Sequence, residues 1–493
     1  MDDQADRRRQ RVRAPRAPGA RRRRAEDAGG RGRRRPVGGQ ARTAASRRLG
    51  RRGASAVSVD WPDWARAATD PAQTFARPEA LDDLLVVDCS QASFAGLVAS
   101  SFLAELGAEV IRVEPPGGDP ARHFTPFGLT RAETGLGYLV EGRNKFHVTL
   151  NLEEARGREM LTRLAARADV LIETFLPGRM DAWGLGYRQL SALNPRLVYL
   201  ALCTYGQFGP RAGSAQPNAD VADQALSGLA FYTGFLPDPA AESDPSAVHT
   251  RQGSWHGWTL GGVWGAFGAL AALHARADLG VGQLVDVSPA EALMRSTDIS
   301  VGWWEMDGVR RSRMGNFDTA IFPYAYFRSR DGYILLAAVV EPAWQALCRL
   351  IGREALAREF PSVPSRRPLE VQRRLHAEVE AWTMTRTFDE IWAAAEAANA
   401  SLEAGVIVVG RVVGTPAEVV ANPYYRERGT LAVFSDPTYG DLLLQMPFQK
   451  ASASPPRLKW ACRRPGQDNA HVYASYLGYG RETLADLRRR GIV

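Results

Sequence analysis

Leu84–Glu114 reads LLVVDCSQASFAGLVASSFLAELGAEVIRVE. Its first part, Leu84-Leu-Val-Val-Asp88, is a short apolar and β-branched run, the pattern of a buried strand. A helix is expected from about Phe94 to Leu106, stopped by Gly107. Glu109-Val-Ile-Arg-Val-Glu114 is a second strand, ended by Pro115-Pro116-Gly117-Gly118. Strand, helix and strand over roughly 30 residues make a βαβ unit with a right-handed crossover, so the two strands run parallel. No GxGxxG is present here, which removes the dinucleotide fingerprint.

The alternation continues outward. His147–Asn151, Asp169–Glu173, Arg196–Ala201 and Gln283–Val287 read as strands, with helices from Glu153 to Ala168 and from about Ala219 to Tyr232. Ser288-Pro289-Ala290-Glu291 combines an N-cap serine, a proline at the first helical position and a glutamate three after the cap. Gln252–Ala275, QGSWHGWTLGGVWGAFGALAALHA, contains no Asp, Glu, Lys or Arg. It reads as a buried helix packed closely through Gly and Ala, with His256-Gly257-Trp258 at its N-terminal end. Its glycines, its histidine and the lack of flanking cation clusters argue against a membrane span. The fold class is therefore α/β, an open and mostly parallel sheet with helices on both faces.

From about Asn316 the pattern changes. Tyr324–Phe327 and Tyr333–Ala337 flank a hairpin turn at Asp331-Gly332, helical patterns run to roughly Ala398, and Thr415-Pro416-Ala417-Glu418 caps another helix. These features predict a smaller α+β domain over 316–424, a large domain over 81–315, and a C-terminal segment, 425–493, returning to the large domain.

The 493 residues and 45% apolar content suffice for two or three cores. The net charge of +8 is uneven: residues 1–52 hold 19 Arg and five acids, a net of +14, which leaves −6 for the rest. The body gives no argument for nucleic-acid binding, and no core can form in 1–58, so 1–80 is read as a basic disordered extension and linker. Trp61 and Trp64 in the linker are able to dock on the body. Four dispersed cysteines without CxxC spacing exclude a zinc site and suit a reducing cytosol. With no secretory signal or membrane segment, a cytoplasmic location is expected.

Several segments together resemble class III CoA-transferases, the CaiB/BaiF family. They include Leu85-Val-Val-Asp88 with Ala95-Gly96, Leu106-Gly107-Ala108-Glu109, Val113-Glu114-Pro-Pro-Gly-Gly-Asp119-Pro-Ala-Arg122 and Arg143-Asn144-Lys145. Others are Phe175-Leu-Pro-Gly178, Gly184-Leu-Gly-Tyr187, Tyr205-Gly206-Gln207, Asp220 with Gln224-Ala-Leu-Ser-Gly228, Gly282-Gln283 and Pro465-Gly466-Gln467. The resemblance runs from about residue 81 to the C-terminus. It implies a Rossmann-like large domain built from both chain ends, a small domain between, and two chains interlocked as linked rings. It also implies transfer of CoA from an acyl-CoA to a carboxylic acid, with a CoA thioester as substrate and no permanently bound cofactor. In the family an aspartate attacks the thioester to form a mixed anhydride, and CoA thiolate converts this to an aspartyl-CoA thioester. Arg122, Arg143, Asn144, Lys145, Phe175 and Gly178 are the expected CoA contacts, with Arg112 and Arg179 as further cations able to meet phosphates.

The catalytic position departs from the family. Counting back from Gly282-Gln283 through Leu270–Leu273 to Gly262 places the aspartate slot on Trp258, and no Asp or Glu lies between Asp244 and Asp278. His256, two residues before the slot, is a candidate base. Ala219 stands where the racemase branch has a histidine, which disfavours a racemase. Thr174-Phe175 replaces a CoA-contacting Asn–Phe, and Ala182 replaces an Arg. Two readings follow: a transferase whose chemistry is displaced to His256 or a carboxylate such as Asp220, or a catalytically silent CoA-binding subunit paired with an active homologue. The first suits a homodimer, the second a heteromer. A nucleic-acid role rests on residues 1–52 alone.

Overall fold

Leu85–Asp88 (β1), Glu109–Glu114 (β2), Lys145–Thr149 (β3), Val170–Glu173 (β4), Val198–Leu202 (β5) and Leu284–Val287 (β6) form one sheet in the computed structural model. The structure describes residues 61–234, 249–297, 300–309, 313–318, 320–402 and 405–493. The basic segment 1–58 and Asp244 lie outside the described residues. The strand order is β3-β2-β1-β4-β5-β6, with every pair parallel. This is the doubly wound order, whose direction of winding reverses between β1 and β4.

Successive residues of each strand feed opposite cores, as the two-residue period requires. Val87, Ile111, Leu171 and Tyr199 face one core with Ala155–Ala165 (α2) and the C-terminal helices Asn469–Leu477 and Arg481–Arg489. Val86, Val110, Ile172 and Leu200 face the other with Phe94–Glu105 (α1) and His256–Leu279 (α4). A third core, around Trp344, Phe327 and Leu375, lies between an antiparallel sheet (Tyr324–Ser329, Gly332–Ala337, Val408–Arg411) and helices including Glu341–Leu350 and Leu369–Thr383.

Local chemistry set most boundaries. Ser93 caps α1, and Ser288 accepts from the Glu291 amide to start Pro289–Arg295 (α5). The expected helix from 153 to 168 is shorter, because Glu154 is its N-cap and both glutamates precede it. The helix expected over 219–232 is two: Asp220–Leu226 (α3) and Leu229–Tyr232, broken at Gly228 with φ of 84°. Glycine takes that left-handed geometry without the Cβ clash.

Helix α4 crosses α1 through Gly262. A Cβ there would stand 2.6 Å from the Ala95 carbonyl oxygen and 2.7 Å from Val98 Cβ. Alanine raises helix propensity by about 1 kcal/mol over glycine, but forcing two helices apart costs about 1–3 kcal/mol. Gly262→Ala is therefore expected to lower the urea midpoint; an unchanged or raised midpoint would show that the crossing gives way easily.

Candidate active site

The rim at the carboxyl ends of β1, β4 and β5 is tied by side chains. The Gln91 amide donates to Thr174 Oγ1 (2.9 Å), Asn218 Nδ2 to the Thr174 carbonyl (2.5 Å), the Thr204 amide to Asn218 Oδ1 (2.9 Å) and the Ser288 hydroxyl to the Thr204 carbonyl (2.7 Å). These bonds fix four connecting segments at the switch point, where open α/β sheets bind ligands.

The first turn of α4 sits on this rim. Asp220 Oδ1 accepts from the amides of Gly257 (2.7 Å) and Trp258 (3.3 Å), and Gln224 Nε2 donates to Oδ2 (2.8 Å). The carboxylate thus answers the free amides and positive end of α4. Trp258 is buried, with its ring 6.2 Å from those of Phe94 and Phe124; its indole Nε1 has no acceptor among the described residues. Trp255 stacks on Phe94 at 4.4 Å. The space under this turn is filled by Asp220, Asp223 and Leu293, each within about 3.2 Å of a Cβ built on Gly257. His256 is half-buried and makes no side-chain hydrogen bond among the described residues.

Asp223 was not singled out in the sequence. It lies one turn after Asp220 on the same face of α3, the i, i+3 relation that was the available signal. It is fully buried, and neither carboxylate oxygen has a hydrogen-bond partner within 3.5 Å among the described residues. Burial pushes its pKa up to about 7; the Thr204 hydroxyl opposes the rise and Asp220 adds to it. With a folded pKa above the unfolded value, the folded chain binds the extra proton. Stability is then fully present below the unfolded pKa of 3.8 and is lost as pH rises toward 7. Asp223→Asn, uncharged throughout, is expected to gain about 1–3 kcal/mol over wild type between pH 5 and pH 8. Denaturant titrations at the two pH values test this; a pH-independent difference would contradict it.

A cleft opens on the other face of the rim. Glu173, Gly178, Asp181, Tyr199 and Gln207 line it, and Glu173, Ala201 and Asp286 stand side by side on β4, β5 and β6. Burial pushes Glu173 up to about 8 against the Phe175 amide, which donates to it at 2.6 Å. Asp286 is also raised by burial, and its Oδ1 and Gln207 Nε2 are buried without partners among the described residues. The cleft therefore has the Gln207 amide donor in its lining, beside a carboxyl whose pKa burial raises.

The sequence candidates separate into two groups. Gly178, with φ of 82°, lines this cleft, while Phe175 stands beside it, its amide on Glu173 and its phenyl edge-on to Trp183. The cationic candidates lie inside the protein on partners of their own. Lys145 is fully buried, donating to the Leu97 carbonyl (2.7 Å) and Ser100 hydroxyl (2.6 Å); burial lowers it to about 8 while Asp88 opposes. Arg143 pairs with Glu105 at 2.6 Å, and Asn144 ties the backbone of Arg457 and Lys459. Arg122 grips both oxygens of Glu114 at 2.6 Å and meets His147. Arg112 pairs with Asp88 and Asp119. Such partners leave these groups no free face for a phosphate. Arg179, by contrast, is exposed and pairs with Glu153 at 2.5 Å. Among the described residues no helix is long and apolar enough to cross a membrane, and no group of His, Cys, Asp and Glu has a metal-binding arrangement. All four cysteines are buried and free.

The model of CoA-transferase family III matches residues 81–469. The Succinyl-CoA--D-citramalate CoA-transferase of Chloroflexus aurantiacus is 30% identical over 84% of this chain and 98% of its own length. From the same organism, the alpha subunit of a Succinyl-CoA--L-malate CoA-transferase is 30% identical, covering 84% of this chain and 92% of the subunit; the beta subunit is 28% identical, covering 84% and 98%. The crystal structure of a CAIB/BAIF family protein from Brucella suis superposes with a TM-score of 0.67 at 27% identity, covering 81% of this chain and all of that one.

Proposed function

The chain belongs to CoA-transferase family III, and from that premise we propose that it moves CoA between an acyl-CoA and a carboxylic acid through Asp220. The observation carrying this reading is the pair of hydrogen bonds from Gly257 and Trp258 to Asp220 Oδ1, which brings a carboxylate to the helix turn holding the aspartate slot. Oδ2 attacks the thioester carbonyl, the C–S bond breaks, and CoA thiolate leaves a mixed anhydride. The thiolate then attacks Asp220 Cγ, expelling the first acid and forming an aspartyl-CoA thioester. An incoming carboxylate attacks that same Cγ, giving a new anhydride and free thiolate, which attacks the new acyl carbonyl. No net proton is needed. Negative charge on Oδ1 during attack at Cγ falls on the two backbone N–H groups. The unpartnered Trp258 indole N–H is a further donor for a substrate oxygen.

The cleft at Glu173, Gly178 and Gln207, with Phe175 beside it, is the proposed seat for CoA, whose amide carbonyls match the unpartnered Gln207 Nε2. Its nearness to β4 lets the thioester arm pass over the rim toward Asp220. The rings of Phe94, Phe124, Trp255 and Trp258 favour an apolar acyl group. His256 is retained as an alternative base, and an interlocked dimer as the proposed assembly.

A second reading is favoured by Trp258 itself: a silent subunit beside a related subunit that keeps the aspartate, an arrangement compatible with the alpha and beta relatives. The purified chain alone decides between them. Transfer of labelled CoA, with a hydroxylamine-trapped aspartyl hydroxamate at Asp220, supports the first; no transfer until a related subunit is added supports the second.

A further inference from the structure

Ahead of the family-matched segment, Trp61–Ala68 forms a helix and Pro71–Ala76 a 3-10 turn, and both dock on the hairpin region near the C-terminus. The contact is close. Arg77 Nη1 donates to the carbonyls of Ala68 and Ser452, Arg457 Nη2 donates to the Arg77 carbonyl (2.7 Å), and a Cβ on Gly429 would meet Pro71 at 2.7 Å. The join leaves a pocket lined by Trp61, Ala65, Arg66, Glu427, Arg428 and Lys450, among others. Trp61 and Trp64 stack at 4.8 Å and are 67% and 50% exposed, so the aromatic pair is not spent on the core.

The charges of this pocket are unbalanced. Three cations and one acid line it, and none of Arg66, Arg428 and Lys450 forms an ion pair among the described residues. Lys450 Nζ reaches only the carbonyls of Pro447 (3.2 Å) and Gly429 (3.5 Å). Its ammonium is lowered by burial and then by Arg428, the direction produced when like charges crowd a concavity without an anion. Unpaired cations in a recess concentrate positive potential, and the Trp61 indole supplies a π-face beside them.

We propose that this pocket binds a nucleotide, with its phosphate on Arg66, Arg428 and Lys450 and its base against Trp61. Guanidinium forks suit phosphate oxygens, and the face of an exposed indole suits a stacked base. This site is separate from the rim and adds a ligand-binding function to the transferase fold.

The test is calorimetric titration of the full chain free of CoA, whose own adenosine phosphate would compete for this pocket. The probes are adenosine 5′-monophosphate, adenosine and inorganic phosphate. The nucleotide is expected to bind at least about tenfold more tightly than either fragment, with affinity falling as salt rises. Lys450→Gln and Arg428→Gln are each expected to weaken it about tenfold while leaving nucleotide-free CoA transfer unchanged. The proposal is overturned if the nucleotide gives no heat, if phosphate binds equally well, or if both variants bind as wild type. Matching circular dichroism melts for the variants establish that lost binding is not lost folding.

Discussion

Asp220→Asn is expected to lower the rate of CoA transfer by at least about 1,000-fold while leaving the fold intact. The substitution is diagnostic because asparagine keeps what the helix needs and loses what the reaction needs. Its amide oxygen still accepts from the Gly257 and Trp258 amides, and Asn stabilises a helix start as well as Asp. The amide cannot attack a thioester or leave from a mixed anhydride. The new amide nitrogen faces the Gln224 Nε2 donor in place of Oδ2, so the melting temperature should fall modestly, while the CoA dissociation constant should hold and the loss of activity should lie in kcat. Hydroxylamine trapping should find an aspartyl hydroxamate in wild type and none in the variant. Full transfer by Asp220→Asn would remove this carboxylate from the mechanism. Trp258→Ala separates the indole from the carboxylate: it removes a ring buried against Phe94 and Phe124, at about 3–5 kcal/mol in stability, without removing the nucleophile.

Legibility in the sequence follows the range of the interaction. β1, α1 and β2 were readable because their signals are local: an apolar run, a serine cap and a glycine stop. The placement of α4 at a candidate site was also readable, through the family spacing from Gly282-Gln283. Asp223 was not, because a lone aspartate on a short helix looks solvated until Gly257 and Leu293 close over α3. The cleft depends on Glu173 and Asp286 meeting across Ala201, a registration that only the sheet order creates. The internal partners of the cationic motif residues were hidden for the opposite reason. Arg143-Asn144-Lys145 advertises positive charge, but its acceptors, Glu105, the Arg457 carbonyl and Ser100, are 38, 313 and 45 positions away. Sequence shows a charge and conceals its partner.

Arg112 shows what that concealment hides, and its removal is expected to be the most destabilising single change outside the hydrophobic cores. The side chain is fully buried. Its guanidinium pairs with Asp88 at 2.7 Å and with Asp119, and also donates to the Ser90 hydroxyl (2.7 Å) and the Tyr138 hydroxyl (3.2 Å). Arg112→Met keeps much of the volume but leaves two buried carboxylates with neutral donors from Ser90, Ser100, Ala92 and Ala121 and, 4.0 Å from Asp88, the Lys145 ammonium. Breaking a buried pair from one side costs about 3–5 kcal/mol, because the stranded charge keeps its desolvation penalty. Against a total stability of about 5–15 kcal/mol, that loss should show as a large fall in the urea midpoint. Neutralising the stranded acids tests the cause: Arg112→Met with Asp88→Asn and Asp119→Asn should recover much of the deficit. A role for Arg112 in holding CoA phosphates predicts the reverse pattern, with KM for acyl-CoA raised, stability little changed, and no recovery in the triple variant. The two outcomes do not overlap, so one set of unfolding curves and one KM determine whether this arginine serves the ligand or the interior.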